Sequence, residues 1–481
     1  MKVATSLEKN IKAVYKKVKS DDVIFTEVKA GNGKGVLIYA KDLADKDKIG
    51  DLIVRPLYDL AGKPTIGKLE KCFLSPEKKT ETDIDKSVFS VVSGDTVLFI
   101  DGIEKAFIFG IKKFDKRAIT EPPTSTVIKG PREGFVENLS VNVSLMRRRL
   151  QTEKLKFSEI KTGKFSKTSV TLCYIEGIAD PKLIKKIKEK IEKISIDATL
   201  DSSYIAKFLS EHKTSLFRQV GNTEKPDILA AKILEGRVAI FVDGSPIAIT
   251  IPYIIMEDFQ SPSDYYYSPY NATLARLIRV FSITISLLLP SLFVAAELFH
   301  LQLIPLSFLL TIVGSIKGIP LSPSYEMFFT LLIFEILNEA SVRMPKYVGM
   351  VVSIVGGLVL GETAVNAGII SAPTLMIIAF SGICLFTVPE LEKTFSVIRF
   401  LFLIVAGSIG MYGILAAIVF LIVYLISFES YQTPLLAPFS PLIKKDLKDS
   451  FYKGFLIEQK NRPRSIVNGD RKRISYNKEE K

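Results

Sequence analysis

The sequence predicts an α/β two-lobed soluble N-terminal region followed by a polytopic α-helical membrane domain. Two observations carry this prediction. Residues 1–255 mix closely spaced charges with short apolar runs, whereas residues 277–427 are a series of long apolar runs broken only by Pro, Gly or short polar segments. Because a helix needs about 20 residues to cross the hydrocarbon of a bilayer and must satisfy its backbone hydrogen bonds internally, the second tract predicts about six membrane-spanning helices.

Changes in composition along the chain set the expected domain boundaries. The predicted segments are a first α/β lobe with an N-terminal helix (1–114), a linker (115–134), a second α/β lobe (135–255), a connection to the membrane (256–276), the membrane domain (277–427) and a basic cytoplasmic tail (428–481). The linker is assigned because it holds Pro122, Pro123 and Pro131 and few large apolar residues.

The first lobe is predicted from its helix and strand periods. Residues 1–20 carry the apolar stripe of an amphipathic helix, and residues 48–60 also have helical spacing. Residues 88–102 are interpreted as a hairpin that turns at 93–95. Further strands are expected at residues 23–28, 35–40 and 106–111. The glycine-rich segment 31–35 predicts a hairpin turn, since a strand follows it where a phosphate-binding loop would need a helix.

The second lobe is predicted to begin with a helix at residues 138–150, which ends in Arg147, Arg148 and Arg149. Three adjacent arginines are compatible with phosphate binding, but a cationic helix C-terminus packed by acidic side chains is the commoner arrangement. Further along, residues 237–253 alternate around Asp243-Gly244, which favours a second hairpin.

Composition excludes several classes of function. The net charge of +13 comes from 64 Lys and Arg against 51 Asp and Glu, interspersed along the chain, so a solvated surface or anionic lipid headgroups are favoured over nucleic acid. The three cysteines and two histidines have no disulfide or metal spacing. We predict no catalytic, cofactor-binding or metal-binding residues, and therefore no enzyme. The first 20 residues lack the apolar core of a signal peptide, which predicts a cytoplasmic N-terminal region.

The membrane tract is expected to begin at a Tyr-rich connection, where Arg276 and Arg279 would anchor the chain at the headgroups. The first run, 277–299, contains Pro290, which is expected to kink it. The last run, 395–427, is too long for one untilted span, although a single helix stays an alternative. Glycines that allow it to break are Gly407, Gly410 and Gly413.

Three ionisable residues interrupt the apolar run at 325–345. Glu335, Glu339 and Arg343 are spaced i, i+4 and i+8, so they share one helix face. Ionisable groups at membrane depth usually face protein or water. The pattern is equally compatible with an amphipathic helix at the membrane interface.

The segment 346–368 carries two stripes along one predicted helix. Small residues at every fourth position, which let another helix approach closely, are Gly349, Ser353, Gly357 and Gly361. A second stripe is apolar and then polar at one end, and comprises Val352, Val355, Val359, Glu362 and Asn366. If copies of this helix surround an axis, the valines would form a hydrophobic constriction and Glu362 a cation-attracting ring. Tight helix packing with Glu362 in a loop explains the same residues without a pore.

Several motifs resemble those of a known family. They are GPREGFVENLSVNVSLMRRRL (130–150), EILNEASVRMPK (335–346), IVGGLVLGETAVNAGIISAP (354–373), PLLAPFSPL (434–442) and DLKD (446–449). In this order they resemble the A subunit of the nutrient germinant receptors of endospore-forming bacteria, the GerA type. The chain departs from the common pattern at Glu362, where uncharged residues are frequent, and at Asn338, which replaces a frequent arginine.

The resemblance implies a function and a set of partners. It implies a subunit in the inner membrane of the spore that assembles with a permease-like B subunit and a lipoprotein C subunit, with the B subunit as the nutrient binder. It also implies that copies of the A subunit oligomerise around a cation path that nutrient binding opens, and that the helix at 346–368 lines this path. The alternatives are a non-conducting scaffold for the B and C subunits, and a secondary transporter, for which no internal repeat is evident.

Overall fold

The computed structural model describes residues 1–75, 77–113, 129–345, 348–349, 356–357, 361–466 and 469–473. Within these residues, two α/β units, each built on a five-stranded antiparallel sheet, are followed by a region made almost entirely of helices. The predicted fold class is confirmed in its α/β half and in the helical character of the C-terminal half. Most of the predicted linker, residues 115–128, lies outside the described residues.

The first unit begins its sheet with a hairpin of β1 (Val23–Ala30) and β2 (Gly33–Ala40). Gly31 in the turn has φ of +55°, and a Cβ there would lie 2.3 Å from the carbonyl oxygen of Gly62, so only glycine fits. The predicted hairpin turn is therefore confirmed. The other strands are β3 (Lys78–Glu81), β4 (Thr96–Ile100) and β5 (Ala106–Phe109), and the order across the sheet is β1-β2-β4-β5-β3.

Five helices pack on this sheet. They are α1 (Leu7–Val18), α2 (Lys46–Ile49), α3 (Arg55–Tyr58), α4 (Ile66–Cys72) and α5 (Ile84–Val92). The hairpin predicted to turn at 93–95 is wrong in its first half, which is α5. The side chain of Asp83 accepts the Asp85 amide at 3.0 Å and caps this helix. Val88, Val91 and Val92 then recur at i, i+3 and i+4 and are all buried, so the helical period outweighs the β-branched composition.

The second unit repeats the arrangement of the first. Its strands are β6 (Leu155–Thr162), β7 (Thr168–Ile175), β8 (Gly221–Thr223), β9 (Val238–Val242) and β10 (Ala248–Ile251). Its helices are α6 (Leu139–Arg149), α7 (Pro181–Glu192), α8 (Ser202–Leu209) and α9 (Pro226–Leu234). The order β6-β7-β9-β10-β8 matches the first sheet strand for strand. The predicted hairpin around Asp243-Gly244 is present as β9 paired with β10.

Matching hydrogen bonds show that the two units are equivalent in detail. Asn10 is fully buried, and its side-chain amide bonds both ways with the backbone of Ala4, at 2.7 and 2.8 Å. Asn142 in α6 does the same with Val136, at 2.6 and 2.9 Å. Each asparagine thus satisfies the backbone of the segment that enters the first helix of its unit.

Backbone hydrogen bonds fix the equivalence at the other end of each unit. The amide of Val3 donates to the carbonyl of Thr82 at 2.8 Å, and the amide of Phe135 donates to that of Glu224 at 2.7 Å. Thr82 therefore corresponds to Glu224. Counting forward three residues, Asp85 in the first turn of α5 corresponds to Asp227 in the first turn of α9.

A buried ion pair joins the two units. Arg147 in α6 is 1% exposed, and its guanidinium donates to both carboxylate oxygens of Asp22, at 2.8 and 2.9 Å. Its planar face also lies over the ring of Phe157, 5.0 Å from the centroid. The acidic partner predicted for the arginine cluster is therefore confirmed for Arg147, and Arg149 pairs with Glu133 at 2.7 Å. Both contacts favour the packing explanation for these two arginines.

The helical region begins after two short 3₁₀ turns. Its helices are α10 (Pro269–Phe299), α11 (Leu306–Ile316), α12 (Pro323–Arg343), α13 (Gly361–Asn366), α14 (Ala372–Leu385), α15 (Glu392–Ile409) and α16 (Met411–Ile426). α10 continues through Pro290 and packs against α14 and α15. The last apolar run breaks at Gly410, which has φ of +72° and separates α15 from α16.

The helices differ in their capacity to cross a bilayer. Among the described residues, only α10 is long and apolar enough to span by itself. The pair formed by α14 and Pro389–Ile409 is apolar enough when taken together but bends by 109° at the break. α11 and α16 are apolar and shorter. The predicted number of about six spans therefore stays a prediction.

We expect Arg147→Met to lower the free energy of unfolding by about 3–5 kcal/mol, because the variant leaves Asp22 buried without a partner. The measurement is thermal and chemical unfolding of the full chain in detergent. Adding Asp22→Leu should recover most of the loss, since both charges then leave the interface. Lys185→Met, at an exposed position of α7, serves as the control. If Arg147→Met lowered the free energy of unfolding no more than Lys185→Met does, the ion pair would not be what holds the two units together.

Candidate functional site

Most of the predicted pore segment lies outside the described residues. This holds for Val352, Ser353, Val355 and Val359. Two members of the pore stripe are described: Glu362 and Asn366 both lie in α13, and both are exposed. The helical conformation of α13 shows that Glu362 does not lie in a loop. The role of the stripe stays a prediction.

The predicted packing glycines differ in their surroundings. A Cβ at Gly349 would lie 2.7 Å from the carbonyl oxygen of Ser341, and one at Gly361 would lie 3.2 Å from the side chain of Leu375. These two glycines therefore make close contacts within the chain. Gly357 has no described atom within 4 Å of a Cβ, so its face is open.

The outer part of the charged face on α12 forms an exposed ion-pair group. The carboxylate of Glu339 accepts from Arg343 at 2.7 Å within the helix, and its other oxygen lies 3.1 Å from the ammonium of Lys393 in α15. The side chain of Glu339 is about half exposed, and those of Arg343 and Lys393 are mostly exposed. Exposed pairs of this kind contribute little stability.

The inner part of the same face meets a buried arginine. Arg399 in α15 is 1% exposed and lies 3.9 Å from Glu335. Its guanidinium donates to the hydroxyl of Ser381 at 2.9 Å, but its Nε and Nη1 have no hydrogen-bond partner among the described residues. Glu335 and Glu339 therefore both lie against α15, and Arg343 pairs with Glu339 on the same helix face. Sequence analysis did not single out Arg399, although a cation within an apolar stretch of helix is a signal that could have found it.

A further contact joins α12 to α14. Glu326 is 1% exposed, and one of its carboxylate oxygens accepts from both the amide and the hydroxyl of Ser371, at 2.8 and 2.7 Å. Ser371 is the N-cap of α14, where orphan amides and the helix dipole favour an anion. Glu326 therefore holds the start of α12 against the start of α14, on either side of the predicted pore segment.

A second charged group, which sequence reasoning missed, lies where the second α/β unit meets the helices. Glu257 is buried and contacts both Arg237 and Lys232. Burial favours a raised pKa for Glu257, but the two cations outweigh it and lower the pKa to about 2. Asp258 contacts Arg218 and accepts the hydroxyl of Tyr253 at 2.5 Å, and here burial prevails and raises the pKa.

The base of α10 is tied into the same group. Arg276 is fully buried, 3.2 Å from Asp264 and 3.0 Å from Asp449 in the tail. Arg279 also reaches Asp264, at 2.7 Å. The expectation that Arg276 anchors at lipid headgroups is wrong, because two carboxylates from the connection and the tail enclose it. We call this group the junction network, and its members are Arg218, Lys232, Arg237, Glu257, Asp258, Asp264, Arg276, Arg279 and Asp449.

A cavity of about 320 Å³ lies within the junction network. Its walls come from α9, from the connection around Tyr265 and Tyr266, and from the tail around Ser450. Most of its ionisable lining is acidic. We call it the junction cavity.

Comparisons with known proteins agree along almost the whole chain. A family model described as Bacillus/Clostridium GerA spore germination protein matches residues 9–465. Spore germination protein KA of Bacillus subtilis (strain 168) is 36% identical over 481 residues, covering 98% of this chain and 88% of that protein. Spore germination protein GerLA of Bacillus cereus is 33% identical over 477 residues, covering 96% and 97%.

Two further similarities concern the membrane and the α/β region. The uncharacterized membrane protein YfkQ of Bacillus subtilis (strain 168) is 36% identical over 455 residues, covering 93% of this chain and 89% of that protein. The crystal structure of the N-terminal domain of the A subunit of the Bacillus megaterium spore germinant receptor GerK3 has a TM-score of 0.42 and 26% identity, over 52% of this chain and 96% of that chain.

We expect Glu257→Gln to weaken the acid dependence of stability. A carboxyl whose folded pKa lies near 2 rather than the ordinary 4.5 stabilises the fold fully above pH 4.5 and loses that contribution as the pH falls toward 2. At neutral pH the free energy of unfolding of the variant should be about 3 kcal/mol lower than that of the unmodified chain, and this difference should disappear in acid. Unfolding of the full chain from pH 7 to pH 2 measures this, with exposed Glu189→Gln as the control. A constant difference across that range would contradict the assignment.

Arg399→Met is expected to leave the thermal unfolding midpoint of the full chain unchanged or higher. The guanidinium is buried with one good hydrogen bond, and the partly exposed Glu335 lies 3.9 Å away, so the variant removes a desolvation cost while losing little pairing. Differential scanning fluorimetry in detergent measures the midpoint, and Arg147→Met, which breaks a two-bond pair, is the contrast. A loss as large as that of Arg147→Met would mean that Arg399 serves the fold itself.

Proposed function

The chain belongs to the GerA family of Bacillus/Clostridium spore germination proteins, and we propose that it is the membrane A subunit of a nutrient-sensing germination receptor whose copies form a cation channel. A role in germination follows from the family. Conduction, oligomerisation, several membrane spans and a location in the inner membrane of the spore are the proposal's own steps. The name of the relative YfkQ, a membrane protein, and the apolar helix α10 support the membrane location.

The charged face of α12 is the observation that carries the channel proposal. Glu335 and Glu339 on this face lie against α15, where Arg399 is buried without a full set of partners among the described residues. Polar groups held in an apolar helical region are costly and are retained for ion or ligand pathways more often than for stability. α12 leads directly into the segment 346–368, so a change in this contact would be felt by the predicted pore helix.

The pore itself is proposed from the stripe at 346–368. Val352, Val355 and Val359 would close the path by excluding water, and Glu362 and Asn366 would form a polar mouth that favours cations. The exposure of Glu362 and Asn366 in α13 leaves them free to meet neighbouring copies. Gly357, whose face is open, would let those copies approach closely.

In this proposal, partner subunits detect the nutrient, and the junction network transmits the resulting change toward the pore. A permease-like B subunit would bind the nutrient, and a lipoprotein C subunit would complete the complex. The junction network binds the second α/β unit to the base of α10, so these two parts would move together. The α/β region and the tail would then face the cytoplasm.

A non-conducting scaffold for the B and C subunits is the second candidate. The ion-paired connection between the second α/β unit and α10 favours it, because a scaffold needs a fixed geometry and no pore. Counting copies of this chain per purified particle separates the two candidates. A ring requires several copies around an axis, whereas a strictly single copy supports the scaffold.

We expect Val355→Ala and Val359→Ala to raise the resting cation leak severalfold, because a shorter side chain widens and wets a hydrophobic constriction. Cation flux from vesicles that contain the assembled receptor measures the leak without nutrient. Val342→Ala, at a 71% exposed position of α12 outside the stripe, is the matched control. An unchanged leak in both variants would remove the valine constriction from the proposal.

A further inference from the structure

Charge in the junction cavity is not balanced. Among the described residues, eight carboxylates and four cationic side chains line it. All four cations are already paired: Arg218 with Asp258 and Glu390, Lys232 and Arg237 with Glu257, and Arg473 with Glu235. Asp449 is neutralised from outside the lining by Arg276 and Lys453. Negative charge therefore remains on carboxylates that none of these cations reaches.

Glu224 and Asp227 are two such carboxylates, and each has a buried oxygen without a hydrogen-bond partner among the described residues. These atoms are Oε2 of Glu224 and Oδ1 of Asp227. The other oxygen of Asp227 accepts the hydroxyl of Tyr266 at 2.6 Å, which fixes the carboxylate in place. No described lysine or arginine lies within ion-pair distance of either group. Buried acceptors left unsatisfied cost free energy, so a donor is expected there.

The wall contributed by the tail adds an independent sign of a missing ligand. Ser450 is 3% exposed and lines the cavity, and its hydroxyl has no partner among the described residues. A hydroxyl can donate or accept, so it can complete the contacts of a group that the two carboxylates hold.

The first α/β unit shows what the equivalent position binds. Asp85, which corresponds to Asp227, forms an ion pair with the ammonium of Lys17 at the end of α1. By the spacing of the matched asparagines, Lys17 corresponds to Arg149 at the end of α6. Arg149 pairs with Glu133 instead. The second unit therefore keeps the carboxylate of this arrangement while its own cation is directed elsewhere.

We propose that the junction cavity binds a small organic molecule that carries a primary ammonium group, held by Glu224 and Asp227 with the hydroxyl of Ser450 nearby. An ammonium offers three donors and no acceptor, which suits the unsatisfied oxygens of Glu224, Asp227 and Ser450. A metal ion is disfavoured, since no group of three or more candidate ligands occurs among the described residues. A volume of about 320 Å³ exceeds what a bare ion needs. The site stands independently of the channel proposal.

Isothermal titration calorimetry of the purified full chain in detergent tests the site, with putrescine as the probe. We expect saturable binding of putrescine and none of tetramethylammonium, which has the charge of an ammonium without its N–H donors. Asp227→Asn and Glu224→Gln should each raise the dissociation constant about tenfold or more, as for loss of a hydrogen bond to a charged group. Glu192→Gln, exposed on α7, should leave it unchanged.

Thermal unfolding without ligand checks that each variant is folded. If either carboxylate variant is unfolded, Ser450→Ala takes its place and should weaken putrescine binding severalfold. Three results would overturn the proposal: no saturable binding of putrescine by the unmodified chain, equal binding by the folded variants, or equal affinity for tetramethylammonium. Any of these would leave water as the occupant of the cavity.

Discussion

The burial of Arg276 is the constraint on which the arrangement of the whole molecule depends. Taking a guanidinium out of water costs several kcal/mol unless carboxylates surround it. Those carboxylates are Asp264 from the connection and Asp449 from the tail, which are far apart in sequence. The base of α10, the connection and the tail must therefore pack together in one arrangement, because any other would leave Arg276 buried without its carboxylates. The second α/β unit joins them through Glu257 and Asp258, so its orientation is fixed by the same requirement.

The junction network and the inner face of α12 differ in how their charges are satisfied, and this difference bears on function. In the junction network most cations meet a carboxylate at hydrogen-bond distance, as expected of a structural connection. On the inner face of α12 the pairing is loose, since Arg399 and Glu335 are 3.9 Å apart and each keeps a buried atom that no described residue pairs with. The junction network is thus tightly paired, whereas the inner face of α12 is loosely paired. Side chains that can exchange partners therefore lie next to the segment 346–368.

Sequence reasoning succeeded where local chemistry decides the structure. The turn at Gly31, the break at Gly410 and the shared face of Glu335 and Glu339 all follow from conformational freedom or helical spacing. It failed where a distant partner decides. Arg276 looked like a headgroup anchor because its carboxylates lie in other segments, and α5 looked like a strand because its valines are equally suited to both periods. The pairing of the two α/β units escaped notice because their correspondence lies in hydrogen bonds and strand order rather than in repeated residues.

The matched strand orders and the paired asparagines have an evolutionary consequence. Two modules with the same topology and the same buried asparagine are the expected product of tandem copying of one ancestral half. After such a duplication, selection on one unit is relaxed at positions where the other unit keeps the original function. Equivalent positions that differ between the two units, such as Lys17 and Arg149, then indicate where the second unit has diverged toward a separate role beside the helices.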